Sequence, residues 1–375
     1  MDLSYSNQEK RFQKDARAFL EANVPKGLAS GDTREGFAQH LEWEKLLFKE
    51  GYAAVSWPEE YGGRGASLVE WLIFEEEYYR AGAPSRVTQN GIFLLAPTLF
   101  EFGTQDQKDK YLQDIASASY LWAQAWSEPN AGSDLAALKS KGEQVDGGWL
   151  LSGQKTWCTR GAFCDGVFGL FRTDPESQRH RGLTYFMVPL DAKGVTVRGV
   201  DRLDGDEGFA DVFFDNVFVP DSEIIGDVHQ GWKVAMATTS SERGLSLRSP
   251  GRFLATANNL KDLYLKSDPS SASIRDRVIQ AHIDSIAYDL FTKQTVTKMI
   301  EGESLGAKSS LNKIFWSEMD VQIHETALDI LQDQAEIDPE WMKGYQFSLA
   351  GPIYAGTNEI QRNIVAERVL GLPRK

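Results

Sequence analysis

Val167-Phe168-Gly169-Leu170-Phe171 and Leu183-Thr184-Tyr185-Phe186-Met187-Val188 are short runs of aromatic, aliphatic and β-branched residues in a chain whose flanks follow a helical pattern. Runs of this length bounded by glycine and aspartate read as strands, and Trp149-Leu150-Leu151 and Asp211-Val212-Phe213-Phe214 read the same way. Asp146-Gly147-Gly148 has the composition of a hairpin turn joining two of them. The stretch from Leu121 to about Gly226 is therefore expected to form a small, mostly antiparallel β domain.

Before that stretch, apolar residues at spacings of three and four (Phe12, Ala16, Phe19, Leu20, then Trp43, Leu46, Leu47) predict helices between Asn7 and about Ser119. Trp57-Pro58-Glu59-Glu60-Tyr61-Gly62-Gly63-Arg64-Gly65 breaks them, because its proline and glycines cannot continue a helix, and the pattern resumes over Glu70 to Tyr79 and Phe93 to Phe102. After Gly231 helical patterns return, interrupted by Ser267-Asp268-Pro269-Ser270-Ser271 and by Asp338-Pro339. The expected layout is a helical domain over 1–120, a β domain over 121–228 and a helical domain over 229–375, a mostly α chain with a central β domain. No internal repeat is visible, and Ser267 to Ser273 alone has the composition of a flexible connector.

The chain has 375 residues, enough for two or three packed units, with 42% hydrophobic and 25% charged residues, as in ordinary globular proteins. No stretch approaches the ~20 apolar residues a membrane span needs, and the amino terminus lacks the basic-then-apolar layout of a secretory signal, so a cytoplasmic location is expected. A formal charge of −14 repels phosphate backbones and argues against nucleic acid as a partner. Cys158 and Cys164 are not spaced with the five histidines as metal ligands, so they read as free thiols and no metal site is expected.

Trp126-Ser127-Glu128-Pro129-Asn130-Ala131-Gly132-Ser133-Asp134 alone is most simply a surface turn. Paired with Gly153-Gln154-Lys155-Thr156-Trp157-Cys158-Thr159-Arg160-Gly161, it resembles the two flavin-contacting segments of the acyl-CoA dehydrogenase family. The likeness extends through Trp57-Pro58 with Tyr61-Gly62-Gly63, Phe213-Phe214-Asp215-Asn216-Val217-Phe218-Val219-Pro220, Gly231-Trp232-Lys233-Val234-Ala235-Met236 and Gly356-Thr357-Asn358-Glu359-Ile360-Gln361-Arg362, in the family's order. It implies an amino-terminal helical domain, a middle antiparallel β domain and a carboxy-terminal four-helix bundle. It also implies FAD as cofactor, an acyl-CoA substrate, an electron-transfer flavoprotein as acceptor, and assembly as a homo-oligomer or a heterotetramer.

Carried over by the resemblance, Trp157 packs against the flavin ring, Thr159 bonds its N5 edge, and Gln124, Trp126, Ser127, Gly132 and Ser133 line the ring and its phosphates. Thr357 and Glu359 join them from the last motif. A flavin accepting hydride needs a donor near N5, an apolar cover against water and close backbone approach at its polar edges. Trp126 and Trp157 as plain core of the β domain is the competing reading.

Dehydrogenation between the α and β carbons needs a base, and a carboxylate suits it, since a bound substrate can desolvate it and raise its pKa. In many family members a glutamate directly before the Gly-Thr serves; here Ala355 stands there. Glu242, in Ser240-Ser241-Glu242-Arg243-Gly244, matches the position used by isovaleryl-type members, with Arg243 steadying it, although a glutamate on a helix is by default a solvated face. Ala355 keeps its main-chain N–H, which in the family helps bind the thioester oxygen, and its small side chain leaves room for branched or bulky acyl groups. The family's Arg-x-x-Phe-Gly segment, whose arginine meets the flavin diphosphate of a neighbouring subunit, is missing; Arg275 of Arg275-Asp276-Arg277 is the candidate to replace it as a cofactor-binding residue, and Gln332-Asp333-Gln334-Ala335 replaces a glycine-rich loop. The leading reading is an active dehydrogenase; the alternatives are a partner subunit holding half a flavin site, and a desulfinase or oxidase on the same fold.

Overall fold

A computed structural model describes residues 4–242, 249–267, 271–303 and 306–373. In chain order it contains helices α1 (Asn7–Asn23), α2 (Arg34–Lys49), α3 (Leu68–Arg80), α4 (Ala96–Phe102) and α5 (Gln105–Ala116). Strands β1 (Trp122–Ala125), β2 (Lys141–Val145), β3 (Gly148–Thr159), β4 (Gly166–Arg172), β5 (Leu183–Pro189), β6 (Val195–Val200) and β7 (Phe209–Pro220) follow. The chain then returns to helices α6 (Gly231–Glu242), α7 (Pro250–Ser267), α8 (Ala272–Ile300), α9 (Ser309–Leu331), α10 (Pro339–Ser348) and α11 (Asn358–Ile364). The order is helical, β, helical, as the sequence pattern predicts.

Local chemistry sets several helix starts. Ser6, Ser67 and Thr104 cap α1, α3 and α5 with side-chain oxygens, and Glu9, Glu70 and Gln107 return the bond from the third helical position. Asp338 caps α10, with Pro339 in the first turn. Over Glu59–Tyr61 the expected break is a single 3-10 turn, closed by Gly62 at φ 83°.

The chain forms two compact units, each discontinuous in sequence. One consists of Pro25–Gly65 and Ser85–Glu242 and holds the sheet. Its strands run β1-β4-β2-β3-β7-β6, with β5 on β4. The Asp146-Gly147 turn joins β2 to β3, with Gly147 at φ 74°. Most pairings are antiparallel, but β1 runs parallel to β4 and β2 meets β4 in one parallel pair. Trp149, Leu151, Phe171, Phe186, Val212 and Phe214 fill its core. Gln107 of α5 donates to the carbonyls of Ser222 and Ile224 at 2.8 and 2.7 Å, tying that helix to the end of β7.

The other unit gathers Met1–Val24, Ala66–Pro84 and Arg243–Lys375. In it α1 packs on α3, α3 on α7, and α7 on α8 and α9. Phe253, Leu260, Tyr288, Trp316, Met319, Ile323 and Trp341 form its core. Of the expected Ser267 to Ser273 connector, residues 268–270 lie outside the described residues, and α8 begins at Ala272. Among the described residues, no helix is long and apolar enough to cross a membrane and no cluster could hold a metal ion.

Candidate active site

Strand β3 carries the second flavin-type segment, and its alternation decides what each residue faces. Trp149, Leu151 and Lys155 share one parity, and all are buried. The ladder to β7 then slips: Lys155 pairs with Val212 but Cys158 with Ala210, so β3 spends one extra residue. Trp157 sits in that bulge at φ 59°, a left-handed conformation unfavourable for a bulky side chain. The slip returns Cys158 to the core and throws Trp157 outward, 59% exposed, its indole edge-on to Phe209 at 5.7 Å. An indole held open on a strained bulge is a platform, not core. The reading of Trp157 as β-domain core is overturned for this residue, whereas Trp126 is buried.

The first segment is bound to it. Thr156 N–H donates to the Ser127 carbonyl at 2.9 Å, and Lys155, with no exposed side-chain surface, donates to Glu128 at 2.9 Å and to the Trp126 carbonyl at 3.3 Å. Glu128 also accepts from the N–H groups of Lys139 and Ser140 at 2.7 and 2.8 Å. Burial pushes the Glu128 carboxyl up, but the Lys155 charge and the Lys139 N–H bring it below its ordinary value. Reciprocal 3.0 Å bonds between Glu128 and Ala131 close the turn that presents Gly132 and Ser133 to solvent. A Cβ at Gly132 would meet nothing within 4 Å, so open space lies in front of it.

Among the described residues, two buried donors in or beside the first segment find no acceptor, Gln124 Nε2 and Trp126 Nε1. Each such group costs about 1–3 kcal/mol when left unmade, so they mark where a ligand's acceptors belong. Flavin carbonyls and phosphates supply acceptors and the ring supplies a face for Trp157; the residues fit FAD.

Behind Thr159 lies a charge network that sequence reasoning missed. Arg160, at φ 55°, donates to Asp32 at 2.6 Å and to the Arg86 carbonyl at 3.2 Å. Arg202 donates to the same Asp32 at 2.5 Å and to Asp204 at 2.7 Å. Asn90 donates to the Thr159 carbonyl at 3.4 Å. Lys155 had a signal, its parity with Trp149 and Leu151; Arg160 and Asp32, 128 residues apart, had none.

Helix α6 is fixed within the same unit. A Cβ on Gly231 would lie 2.7–2.8 Å from the Thr184 and Tyr185 backbone, so only glycine lets the helix start so close to β5. Thr238 bonds Thr98 at 2.8 Å and Tyr185 at 3.3 Å. The helix ends on Glu242, whose side chain lies outside the described residues, as does Arg243.

The remaining candidates belong to the other unit. Ala355 and Gly356 are left-handed, at φ 55° and 81°. Thr357 caps α11 through its hydroxyl, 3.2 Å from Ile360 N. Glu359 is an exposed carboxylate 4.0 Å from Arg362. Arg275 is exposed and 3.5 Å from Asp276, while Arg277 pairs with Asp329. Gln332 opens a 3-10 turn (Gln332–Ile337) at φ 51°.

An exposed indole on a strained bulge and two unpaired buried donors suit a flat, acceptor-rich cofactor. Family models for the N-terminal, middle and C-terminal domains of acyl-CoA dehydrogenases match residues 6–119, 123–217 and 229–370. The chain is 36% identical to acyl-CoA dehydrogenase IpdE1 of Mycolicibacterium smegmatis, covering 97% of this chain and 98% of that protein. Among solved structures it resembles the Tcur3481-Tcur3483 steroid ACAD, at TM-score 0.89 and 26% identity over 100% of both chains. It also resembles the ChsE4-ChsE5 complex from Mycobacterium tuberculosis, at TM-score 0.86 and 25% identity over 100% of both chains. The chain belongs to the acyl-CoA dehydrogenase family. It is an FAD-dependent oxidoreductase of acyl-CoA thioesters.

Proposed function

We propose that this enzyme dehydrogenates a bulky, branched or steroid-derived acyl-CoA between its α and β carbons, with Glu242 as the base. The observation that carries the chemistry is Trp157, turned out on its bulge one residue from the bond that joins the two flavin-type segments. FAD, when bound, would supply the acceptor for the β hydrogen as hydride. Trp157 supplies an apolar cover that keeps water from that transfer, and the Thr159 hydroxyl donates toward the acceptor edge of the ring. Glu242 takes the α proton, and the Ala355 N–H donates to the thioester oxygen as enolate charge develops.

Four features support these assignments. Alanine at 355 cannot accept a proton, and α6 holds Glu242 at the end of a helix anchored by Gly231 and Thr238. The small Ala355 side chain leaves space for a bulky acyl group, and a neighbour of high structural similarity is a steroid ACAD. The electrons then pass to an electron-transfer flavoprotein, so reduced enzyme should reoxidise faster with such an acceptor than with oxygen; an oxidase would show the reverse. Glu242→Gln is expected to lower turnover by about 10²–10⁴-fold with flavin content unchanged, the range for loss of a general base. Unimpaired turnover in that variant excludes Glu242. The substrate is found by adding a panel of acyl-CoA thioesters without oxygen and recording which one bleaches the flavin band.

A second reading, a subunit that shares its flavin site with a related chain, is favoured by Gln332-Asp333-Gln334-Ala335 where the family has a glycine-rich loop. The Tcur3481-Tcur3483 and ChsE4-ChsE5 structures are assemblies of two named chains. A chain purified alone with about one flavin per subunit excludes this reading.

A further inference from the structure

The turn that carries Ala355 is gripped from inside by one side chain. Gln361 is 0% exposed, and its Nε2 donates to the carbonyls of Ala355 at 3.2 Å and Gly356 at 3.3 Å. Glycine adopts a left-handed φ freely, but alanine at φ 55° is held against a preference of about 1 kcal/mol or more. The end of the turn is fixed separately. Lys313, fully buried, donates to Asn358 Oδ1 at 2.8 Å, and Ser317 donates to the same oxygen at 3.1 Å.

Among the described residues, nothing accepts from the N–H groups of Ala355, Gly356 or Thr357. A trans peptide points its C=O and N–H to opposite sides. Carbonyls of residues 355 and 356 drawn inward onto Gln361 therefore turn the N–H groups of Gly356 and Thr357 outward. With that peptide plane fixed, φ and ψ at Ala355 together set where its own N–H points, and φ is the angle at which alanine is held against its preference. Relaxation of φ from the left-handed well would rotate that N–H about the N–Cα bond by roughly 120° for the helical well and roughly 180° for the extended one.

We infer that Gln361 is a positioning residue of this enzyme: without touching substrate, it keeps Ala355 left-handed and so aims the N–H that recognises the thioester carbonyl oxygen. This rests on the reading of Ala355 as that donor. The test uses FAD-loaded protein in the assembly in which it purifies, with calorimetric binding as the readout. Two probes are compared: the 2-enoyl-CoA product of the substrate that bleaches the flavin, which binds without further oxidation, and the S-alkenyl-CoA thioether of the same skeleton, which lacks the carbonyl oxygen.

The wild type is expected to bind the enoyl-CoA about tenfold more tightly than the thioether, the ratio one good hydrogen bond supplies. Gln361→Leu should bring the two within about twofold by weakening only the enoyl-CoA, with thioether affinity and flavin content unchanged. Should Gln361→Leu fail to fold, Gln361→Met, of similar length and without an N–H, is read in the same way. A variant that keeps the tenfold preference overturns the role of Gln361. A wild type with no preference overturns the carbonyl-binding reading of Ala355, and the role of Gln361 with it.

Discussion

Asp32 accepts from two guanidinium groups, Arg160 at 2.6 Å and Arg202 at 2.5 Å, with 13% of its side chain exposed. Burial pushes its carboxyl up, but the two cations outweigh burial and hold it below its ordinary value of 3.8. The sign of the pH effect follows. A folded-state pKa below the unfolded one means that Asp32 stabilises the fold fully above about pH 4 and loses that contribution as pH falls through the folded value. Urea midpoints should therefore drop below about pH 4 more steeply in the wild type than in Asp32→Asn. The variant should also be about 3 kcal/mol less stable at neutral pH, because Arg160 loses its carboxylate. Parallel acid limbs in the two proteins would show that Asp32 does not carry the dependence. Cys158 behaves oppositely: burial pushes its thiol up to about 12, away from the reactive thiolate form.

At the scale of elements, α6 illustrates what one glycine does. With the Thr184 and Tyr185 backbone 2.7–2.8 Å from a would-be Cβ, Gly231→Ala forces strand or helix to move, at a cost of about 1–3 kcal/mol. Because α6 ends on Glu242, the proposed base, turnover should fall about tenfold or more while flavin content stays at the wild-type level. A melting curve and an activity assay on one preparation check both; lost stability with intact turnover would free the base from the helix's placement. Such elements were largely legible in the sequence. The runs around Trp149, Val167, Leu183 and Asp211 are strands, and Asp146-Gly147 is a hairpin turn, because each is written in local composition. What was not legible depends on partners distant in sequence. A one-residue slip against β7 turned Trp157 outward, against simple alternation, and the parallel pairing of β1 with β4 has no local mark. Glu128 and Lys155 lie within the flavin-type segments, yet a fully buried lysine runs against the usual exposure of that residue, so its burial has no mark in composition.

For the whole molecule, α8 poses a question of assembly. Its inner face, with Val278, Ala281, Ser285 and Tyr288, is buried in its own unit. Its outer face leaves Ile279, Ile283, Ile286 and Leu290 exposed by 50, 54, 50 and 38%. Their spacing of four, three and four is that of a helix-pairing seam, and half-exposed aliphatic side chains leave roughly 3–6 kcal/mol of burial per chain unrealised. The stripe is also symmetric about its own midpoint: reversing the helix places Ile283 on Ile286 and Ile279 on Leu290. That self-complementarity is what a two-fold contact requires, and it favours a second copy of this chain over an unrelated partner. Light scattering should accordingly give a particle of at least twice the 41.9 kDa chain mass. Ile283→Asp with Ile286→Asp should lower that mass with helical content unchanged, since both residues lie on the outer face. A wild-type chain that runs at 41.9 kDa, or a double variant that associates as before, would remove α8 as the contact.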